Sequence, residues 1–454
     1  MPVNSFDDHP LSWRPRRDAP GGGPVYLALA AQLADDIAAG RLPPGAKLPP
    51  QRELADYLDI DFTTVTRAYG VCRERGLIYG VTGRGTFVAS PDAGGEAVDC
   101  SVVQGFPATG ADEIVAAAKS VLSRGTAERI FSYCDRDGAA RPLAAGVAWL
   151  GRNGVEAAAG RTAVFPGAQG AISAALMSLF RVGDALATDE FTYSNLIRLA
   201  RLAHVRLVPV ASDGCGMRPD ALADAAAADT RLRGVYLMPN CANPTTITMS
   251  ERRKDELADV VRGAGISLIE DDARIVPPKG RERTLHSRIP GRCLYIAGST
   301  RALAPGLRAT WAALPEEGAG RILDALHHLA IKAGALDAEI LAELVLSGRA
   351  EAMLSAKAKC ARAANAVFEK VFPNAFAAAP TAFFRTVPLP GTAGSGPEIE
   401  RRCIEAGVKV CHSDRFSVRA GNPRSFIRVS VSSTPDLQSL RRALNALRAQ
   451  TKLQ

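Results

Sequence analysis

The stretch Leu294-Tyr-Ile-Ala-Gly-Ser-Thr-Arg-Ala-Leu-Ala-Pro-Gly-Leu-Arg-Ala-Thr-Trp-Ala-Ala-Leu-Pro315 decides how this chain is read. An apolar run of strand character passes through a segment rich in Gly, Ser and Pro into a second apolar run, which predicts strand, tight turn, strand. The turn carries two arginines seven residues apart, Arg301 and Arg308. Similar short runs stand at Ala163–Phe165, Ala185–Ala187, Arg206–Val210, Gly234–Met238 and Ile266–Ile269, with helix-length segments between them. Alternation of this kind is the mark of an α/β sheet.

Ligands of open α/β sheets sit beyond the carboxyl ends of the strands. At those places the chain has Gly167-Ala168-Gln169, Thr192-Tyr193, Asn243-Pro244-Thr245, Asp271 and the turn from Arg301 to Arg308. The set suits a phosphorylated, electron-poor aromatic ring. Free N–H groups of a helix opened by Gly167 bind phosphate, with Arg308 beside them. Tyr193 stacks on the ring, Asn243 donates to a phenolic oxygen, and Asp271 pairs with a protonated ring nitrogen. Each residue taken singly has a plainer reading: a turn for Asn243-Pro244, loop packing for Tyr193, a strand-end cap for Asp271.

The length of 454 residues suggests two or three domains, and 47% apolar with 22% charged residues is ordinary globular usage. No apolar run reaches the ~18 residues of a membrane span, and Met1–Pro10 is too acidic and polar for a signal peptide, so a cytoplasmic protein with no membrane partner is expected. Nine cysteines include no Cys-x-x-Cys pair, and the histidines have no ligand spacing, so neither a metal site nor a disulfide framework is indicated. The net charge of +8 does not reside in the first ninety residues, where ten basic and ten acidic side chains cancel; within 62–90, four arginines face Glu74 alone.

Residues 1–23, rich in Pro, Gly and charge, read as a flexible leader. A helix follows from Val25 to Ala39, then a Pro/Gly loop, a short helix Gln51–Leu58 and a helix Phe62–Arg75 capped by Asp61. Leu77–Tyr79 and Thr86–Val88 flank a turn and form a hairpin. Helix-turn-helix followed by a wing is a DNA-binding arrangement. Residues 91–111 lack periodicity and suit a linker, or in part, as at Val102–Pro107, an arm packed on the next domain.

The segment 24–90 resembles the winged-helix domain of GntR-type bacterial regulators. The resemblance rests on Leu42-Pro43-Pro44-Gly45, on Leu48-Pro49 before Arg52-Glu53-Leu54-Ala55, on Thr63-Thr64-Val65 with Arg67-Ala68-Tyr69, and on Gly83-Arg84-Gly85-Thr86-Phe87-Val88. It implies that Arg52, Thr63, Thr64, Arg67 and Arg84 approach phosphates or base edges of double-stranded promoter DNA; a solvated helix face is the other reading. Phe62 stands where relatives often have Arg, and either touches a thymine methyl or packs into the core.

Residues 112–450 resemble fold-type I aminotransferases, with a large part at about 130–320 and a small part at about 330–450. Ser425-Phe426-Ile427-Arg428-Val429-Ser430 is similar to the strand that carries the substrate-carboxylate arginine, here Arg428. The whole chain is similar to the MocR subfamily, which implies a head-to-tail homodimer that uses pyridoxal phosphate, or an amine or amino acid, as a signal. Those relatives carry a Schiff-base lysine seven residues before the Arg308 position. Arg301 stands there, and no lysine lies between Lys279 and Lys332. A guanidinium, its lone pairs delocalised, does not form an imine, so covalent pyridoxal phosphate at position 301 is excluded. Relatives also read Glu-Asp-Asp-Tyr where this chain has Glu270-Asp271-Asp272-Ala273. The expectation is a non-enzymatic regulator without catalytic residues. Its cationic pocket would sense a small anionic or amino-acid-like effector, either non-covalent pyridoxal phosphate or another ligand. The alternatives are a pyridoxal-phosphate-dependent aminotransferase with a DNA-binding domain, and a regulator whose second domain only dimerises.

Overall fold

The computed structural model describes residues 11–16, 24–88 except 44, 76 and 82–84, 97–132 except 107, 125 and 126, and 140–451 except 273, 275–281, 391–393, 420, 422, 423 and 435. Two compact units divide the chain, one on Met1–Val98 with Glu405–Gly407 and one on Asp99–Ile404 with Val408–Gln454.

In the first unit, helices α1 (Val25–Ala38), α2 (Gln51–Leu58) and α3 (Phe62–Glu74) precede an antiparallel pair, β1 (Ile78–Val81) and β2 (Gly85–Val88). Leu29 and Leu33 of α1, Leu54 and Leu58 of α2, and Val65, Ala68, Tyr69 and Cys72 of α3 recur at three- and four-residue spacing and close one buried core. Each leucine buried this way contributes about 1.5–3 kcal/mol. Asp61 caps α3 by accepting from the Thr63 N–H at 2.7 Å. The expected leader needs correcting where it is described. Trp13 is 5% exposed, packs into this core and donates its Nε1–H to Asp36 at 2.7 Å, and the Arg16 N–H donates to Gln32 Oε1 at 2.8 Å; residues 1–10 and 17–23 of the leader lie outside the described residues. A large aromatic ring gains more by burial than a Pro- and Gly-rich context suggests.

The second unit is built on a seven-stranded sheet. Its strands are β3 (Thr162–Phe165), β4 (Ala185–Asp189), β5 (Arg206–Val210), β6 (Leu232–Leu237), β7 (Ser267–Asp272), β8 (Cys293–Ala297) and β9 (Thr310–Ala313), in the spatial order β3-β9-β8-β7-β6-β4-β5. All pair in parallel except β9, which is antiparallel to both of its neighbours. The carboxyl ends of β3, β4, β6, β7 and β8 therefore face one edge. Burial of nearly every residue in β8 and β9 accounts for the continuous apolar runs of the sequence. Between β8 and β9 the chain does not make a simple tight turn; a short helix, Ser299–Ala302, interrupts it.

Farther along, helix α4 (Arg349–Val371) leads to a three-stranded antiparallel sheet of β10 (Phe384–Pro388), β11 (Cys411–His412) and β12 (Phe426–Ser430), ordered β10-β12-β11. Of the stretch 91–111 expected as a linker, residues 97–106 and 108–111 are described. Residues 99–106 form an arm on this small sheet: Ser430 N–H donates to the Cys100 carbonyl at 2.8 Å and Phe106 N–H to the Ser432 carbonyl at 2.9 Å. Buried backbone groups require partners, and strand edges supply them to a segment with no pattern of its own. Among the described residues no helix is long and apolar enough to cross a membrane.

Candidate functional site

The loop after β3 enters a helix, Gly167–Leu179, whose N-cap is Pro166, a residue with no side chain to satisfy the first-turn N–H groups. Gly167 adopts φ +74°, and a Cβ there would come within 2.6 Å of the Arg308 Nη2. The Arg308 guanidinium thus lies over a helix N-terminus kept open by glycine, a geometry that suits a phosphate. Half-buried Ala168 and Gln169 continue that first turn.

After β4 and at the end of β7 stand the groups for a ring. Tyr193 is half-buried, and its hydroxyl accepts from Asn195 Nδ2 at 3.0 Å. Asp271 is buried and accepts from the Tyr236 hydroxyl at 2.7 Å. Burial pushes its carboxyl above the usual range, against the Tyr236 hydrogen bond and the charge of Arg301. The flanking carboxylates are committed elsewhere. Asp272 accepts from Tyr295, Asn240 and Arg274 at 2.9, 2.9 and 2.7 Å. Glu270 accepts backbone N–H groups of Leu285 and His286, and burial pushes it up to about 7. Alternation along the strand sets Asp271 against its two neighbours, and of the three it alone keeps a carboxyl oxygen without a partner among the described residues.

From β12, Arg428 reaches the same region at 7% exposure. Its Nη1 donates to Asn243 Oδ1 at 3.0 Å and its Nη2 to the Ser101 carbonyl of the arm, while the guanidinium carbon sits 4.9 Å from the Phe416 ring centre. Its Nε has no partner. Asn243, buried, keeps its amide N–H groups available to a ligand oxygen.

Arg301, on the short helix before β9, is half-buried. Its guanidinium has no hydrogen-bond or ion-pair partner among the described residues. Its charge is nevertheless felt at Asp271, Tyr193, Cys241 and Arg428, which puts it within the group. The backbone beneath it is held firmly. Ser299 Oγ donates to the Ala309 carbonyl at 3.1 Å, and Lys357 Nζ to the Leu303 carbonyl at 2.6 Å. Gly105 of the arm, at φ +68°, presses so closely that a Cβ would lie 2.5 Å from the Arg301 carbonyl oxygen.

The donor set can be tested against pyridoxal phosphate. A phosphate fits the Gly167–Arg308 cradle, and a ring N–H fits the free oxygen of Asp271. An amine to attach the ring is not offered at 301. Lys357, the buried lysine beside the turn, has its Nζ on a backbone carbonyl, and burial lowers it to about 8.

On the first unit, Arg52, Thr63 and Arg67 are exposed on α2 and α3, and Thr64 is half-buried. Thr63 Oγ1 donates to Asp61 at 2.5 Å, which leaves its lone pairs outward. Arg84 lies outside the described residues. Phe62 is 43% exposed with the Arg52 guanidinium carbon 5.8 Å from its ring centre, so it is not a core residue.

Residues 25–88 match the bacterial regulatory proteins of the gntR family, and residues 104–447 match aminotransferase class I and II. The chain is 34% identical to the HTH-type transcriptional regulator YdeF of Bacillus subtilis (strain 168), over 99% of this chain and 98% of that one. The chain belongs to the GntR-type transcriptional regulators that carry an aminotransferase-fold domain. Another relative of this regulator, the vitamin B6 salvage pathway transcriptional repressor PtsJ of Salmonella typhimurium (strain LT2), is 26% identical, covering 61% of this chain and 64% of that one. An archaeal alanine:glyoxylate aminotransferase matches its fold with a TM-score of 0.71 at 21% identity, over 79% of this chain and 91% of that one.

Sequence reasoning did not find four residues of the regulator's site: Gly105, Tyr236, Lys357 and Ser101. Tyr236 is the penultimate residue of β6, and its odd hydroxyl in an apolar run was the one available signal. The others act from far along the chain.

Proposed function

We propose that this regulator binds promoter DNA as a head-to-tail homodimer and responds to a small anionic effector held without a covalent bond to the chain. Support for the reading comes from one contrast in the pocket. The Gly167–Arg308 cradle and the free oxygen of Asp271 are built as for a phosphorylated ring, whereas Arg301 stands where the family's aminotransferases need a primary amine. Pyridoxal phosphate, when bound, supplies an electron-poor ring and a formyl group; the naming of PtsJ for vitamin B6 salvage favours a ligand of this type. Arg308 and the helix N-terminus hold phosphate, Asp271 orients the ring through its nitrogen, and Asn243 donates to a ring oxygen. Arg301, Arg308 and Arg428 make the pocket electropositive, which favours phosphate or carboxylate over neutral ligands.

We assign the output to Arg52, Thr63, Thr64, Arg67 and Arg84, the winged-helix residues that the family resemblance brings to DNA. Thermal-shift measurements with pyridoxal 5′-phosphate, amino acids and phosphorylated metabolites test the sensing role, because a ligand of the folded state raises the melting temperature. A purely structural second domain shows no shift with any of them. Recovery of pyridoxal phosphate fixed to the wild-type chain by borohydride would overturn the non-covalent reading, and turnover of an amino donor would replace it with an aminotransferase.

A further inference from the structure

The pocket holds a guanidinium that the reading above leaves without a task. With phosphate at Gly167–Arg308 and a ring nitrogen at Asp271, a pyridine ring is anchored twice. In pyridoxal phosphate the carbon bearing the variable substituent is para to the nitrogen, so that substituent points away from Asp271. Of the pocket's donors, Arg301 and Arg428 are the two to which the phosphate, the ring nitrogen and the ring oxygen assign no partner. Arg428 is buried with its Nε unpartnered among the described residues, Arg301 has no hydrogen-bond or ion-pair partner among them, and the charge of Arg301 bears on Arg428. Neither is paired with a carboxylate among the described residues. Guanidinium groups have donors and no acceptor. Whatever faces them must accept hydrogen bonds, and a cation there is repelled in a site where water screens poorly.

Resting on the proposed non-covalent pocket, we propose that Arg301 is a specificity residue that selects phosphorylated pyridines whose para substituent ends in oxygen and rejects the aminomethyl counterpart. Hydroxymethyl, formyl and carboxyl groups each present acceptors to Arg301. An aminomethyl group is protonated near neutral pH, as alkyl amines are, and places a third cation beside two guanidiniums. The regulator then distinguishes the oxygenated forms of the ring from its aminated form without chemistry, where a lysine at 301 would react with the formyl form.

Calorimetric titration of the full-length protein with pyridoxine 5′-phosphate, pyridoxal 5′-phosphate and pyridoxamine 5′-phosphate tests this. The two oxygenated ligands should bind at least about tenfold more tightly than the amine. Arg301→Gln, which keeps a donor and loses the charge, should bring that ratio close to unity while the unliganded melting temperature stays unchanged. Arg301→Lys should let borohydride fix pyridoxal 5′-phosphate to residue 301, read by peptide mass, which places this position beside the formyl carbon. Equal binding of all three ligands to the wild type, or a ratio untouched by Arg301→Gln, overturns the selectivity and leaves the non-covalent pocket standing. A folded Arg301→Lys chain that binds the ligand and is not labelled shows that position 301 faces elsewhere, and also overturns it. Failure of the wild type to bind any of the three overturns the selectivity together with the reading of the pocket as a site for phosphorylated pyridines.

Discussion

Two buried titratable residues carry opposite lessons at the residue scale. Asp271 holds a carboxyl whose ionisation burial opposes, and one of its oxygens has no partner among the described residues. Asp271→Asn keeps an acceptor for Tyr236 and removes the buried charge. The variant should melt no lower than the wild type without ligand, yet bind pyridoxine 5′-phosphate about tenfold or more weakly, because a charge-assisted bond to the ring nitrogen is lost. Thermal unfolding and calorimetry on the same sample check both halves. His286 is 5% exposed, its Nε2 has no partner, and burial lowers it from 6.5 to about 4. Between those values the unfolded chain takes up a proton that the folded chain refuses. The stability it contributes is therefore complete above pH 6.5 and falls away as pH drops towards 4, by about 3 kcal/mol at most. His286→Phe, which retains the edge contact with Tyr295, should flatten this acid limb in melting curves recorded across that range.

The arm and the turn it braces are where the element scale matters. Gly105 is held at a positive φ against the Arg301 carbonyl, so a side chain there meets both a strained backbone and a backbone atom that cannot move cheaply. Gly105→Ala should destabilise the second unit by about 2–4 kcal/mol, the sum of a left-handed residue and an overpacked contact. Its effect on ligand binding should exceed that of an equally destabilising change in α4 away from Lys357, because the turn carrying Arg301 shifts with it. Denaturant unfolding and calorimetry distinguish these. The arm itself was legible only in part: it has no periodicity, so linker and packed arm were both open readings, and its hydrogen bonds run to Ser430 and Ser432, some 330 residues later in the chain. By contrast the seven strands were legible, since each is a compact apolar run whose ends are marked by a change to polar residues.

For the whole molecule, the proposed output rests on a few cations of the winged helix. Arg67→Ala should weaken binding to the promoter beside the protein's own gene, and should lower the slope of log affinity against log salt by about one, as expected for one lost phosphate contact. An unchanged slope with altered sequence preference would instead assign Arg67 to a base edge. Two matched segments, one for each unit, were readable from sequence because their motifs are local. A helix cap such as Asp61 with Thr63, a glycine before a helix, and an apolar strand are each specified by neighbours within a few residues. The sequence alone also established that Arg301 is no imine-forming nucleophile, because that is a property of the guanidinium and not of its surroundings. Only the tertiary structure decided that Arg301 has no hydrogen-bond or ion-pair partner among the described residues, that Asp271 alone of three successive carboxylates offers an oxygen, and that Lys357 serves a backbone carbonyl. Each depends on which groups, hundreds of residues apart, share the low-dielectric interior, where an unmatched donor or acceptor decides what the pocket can hold.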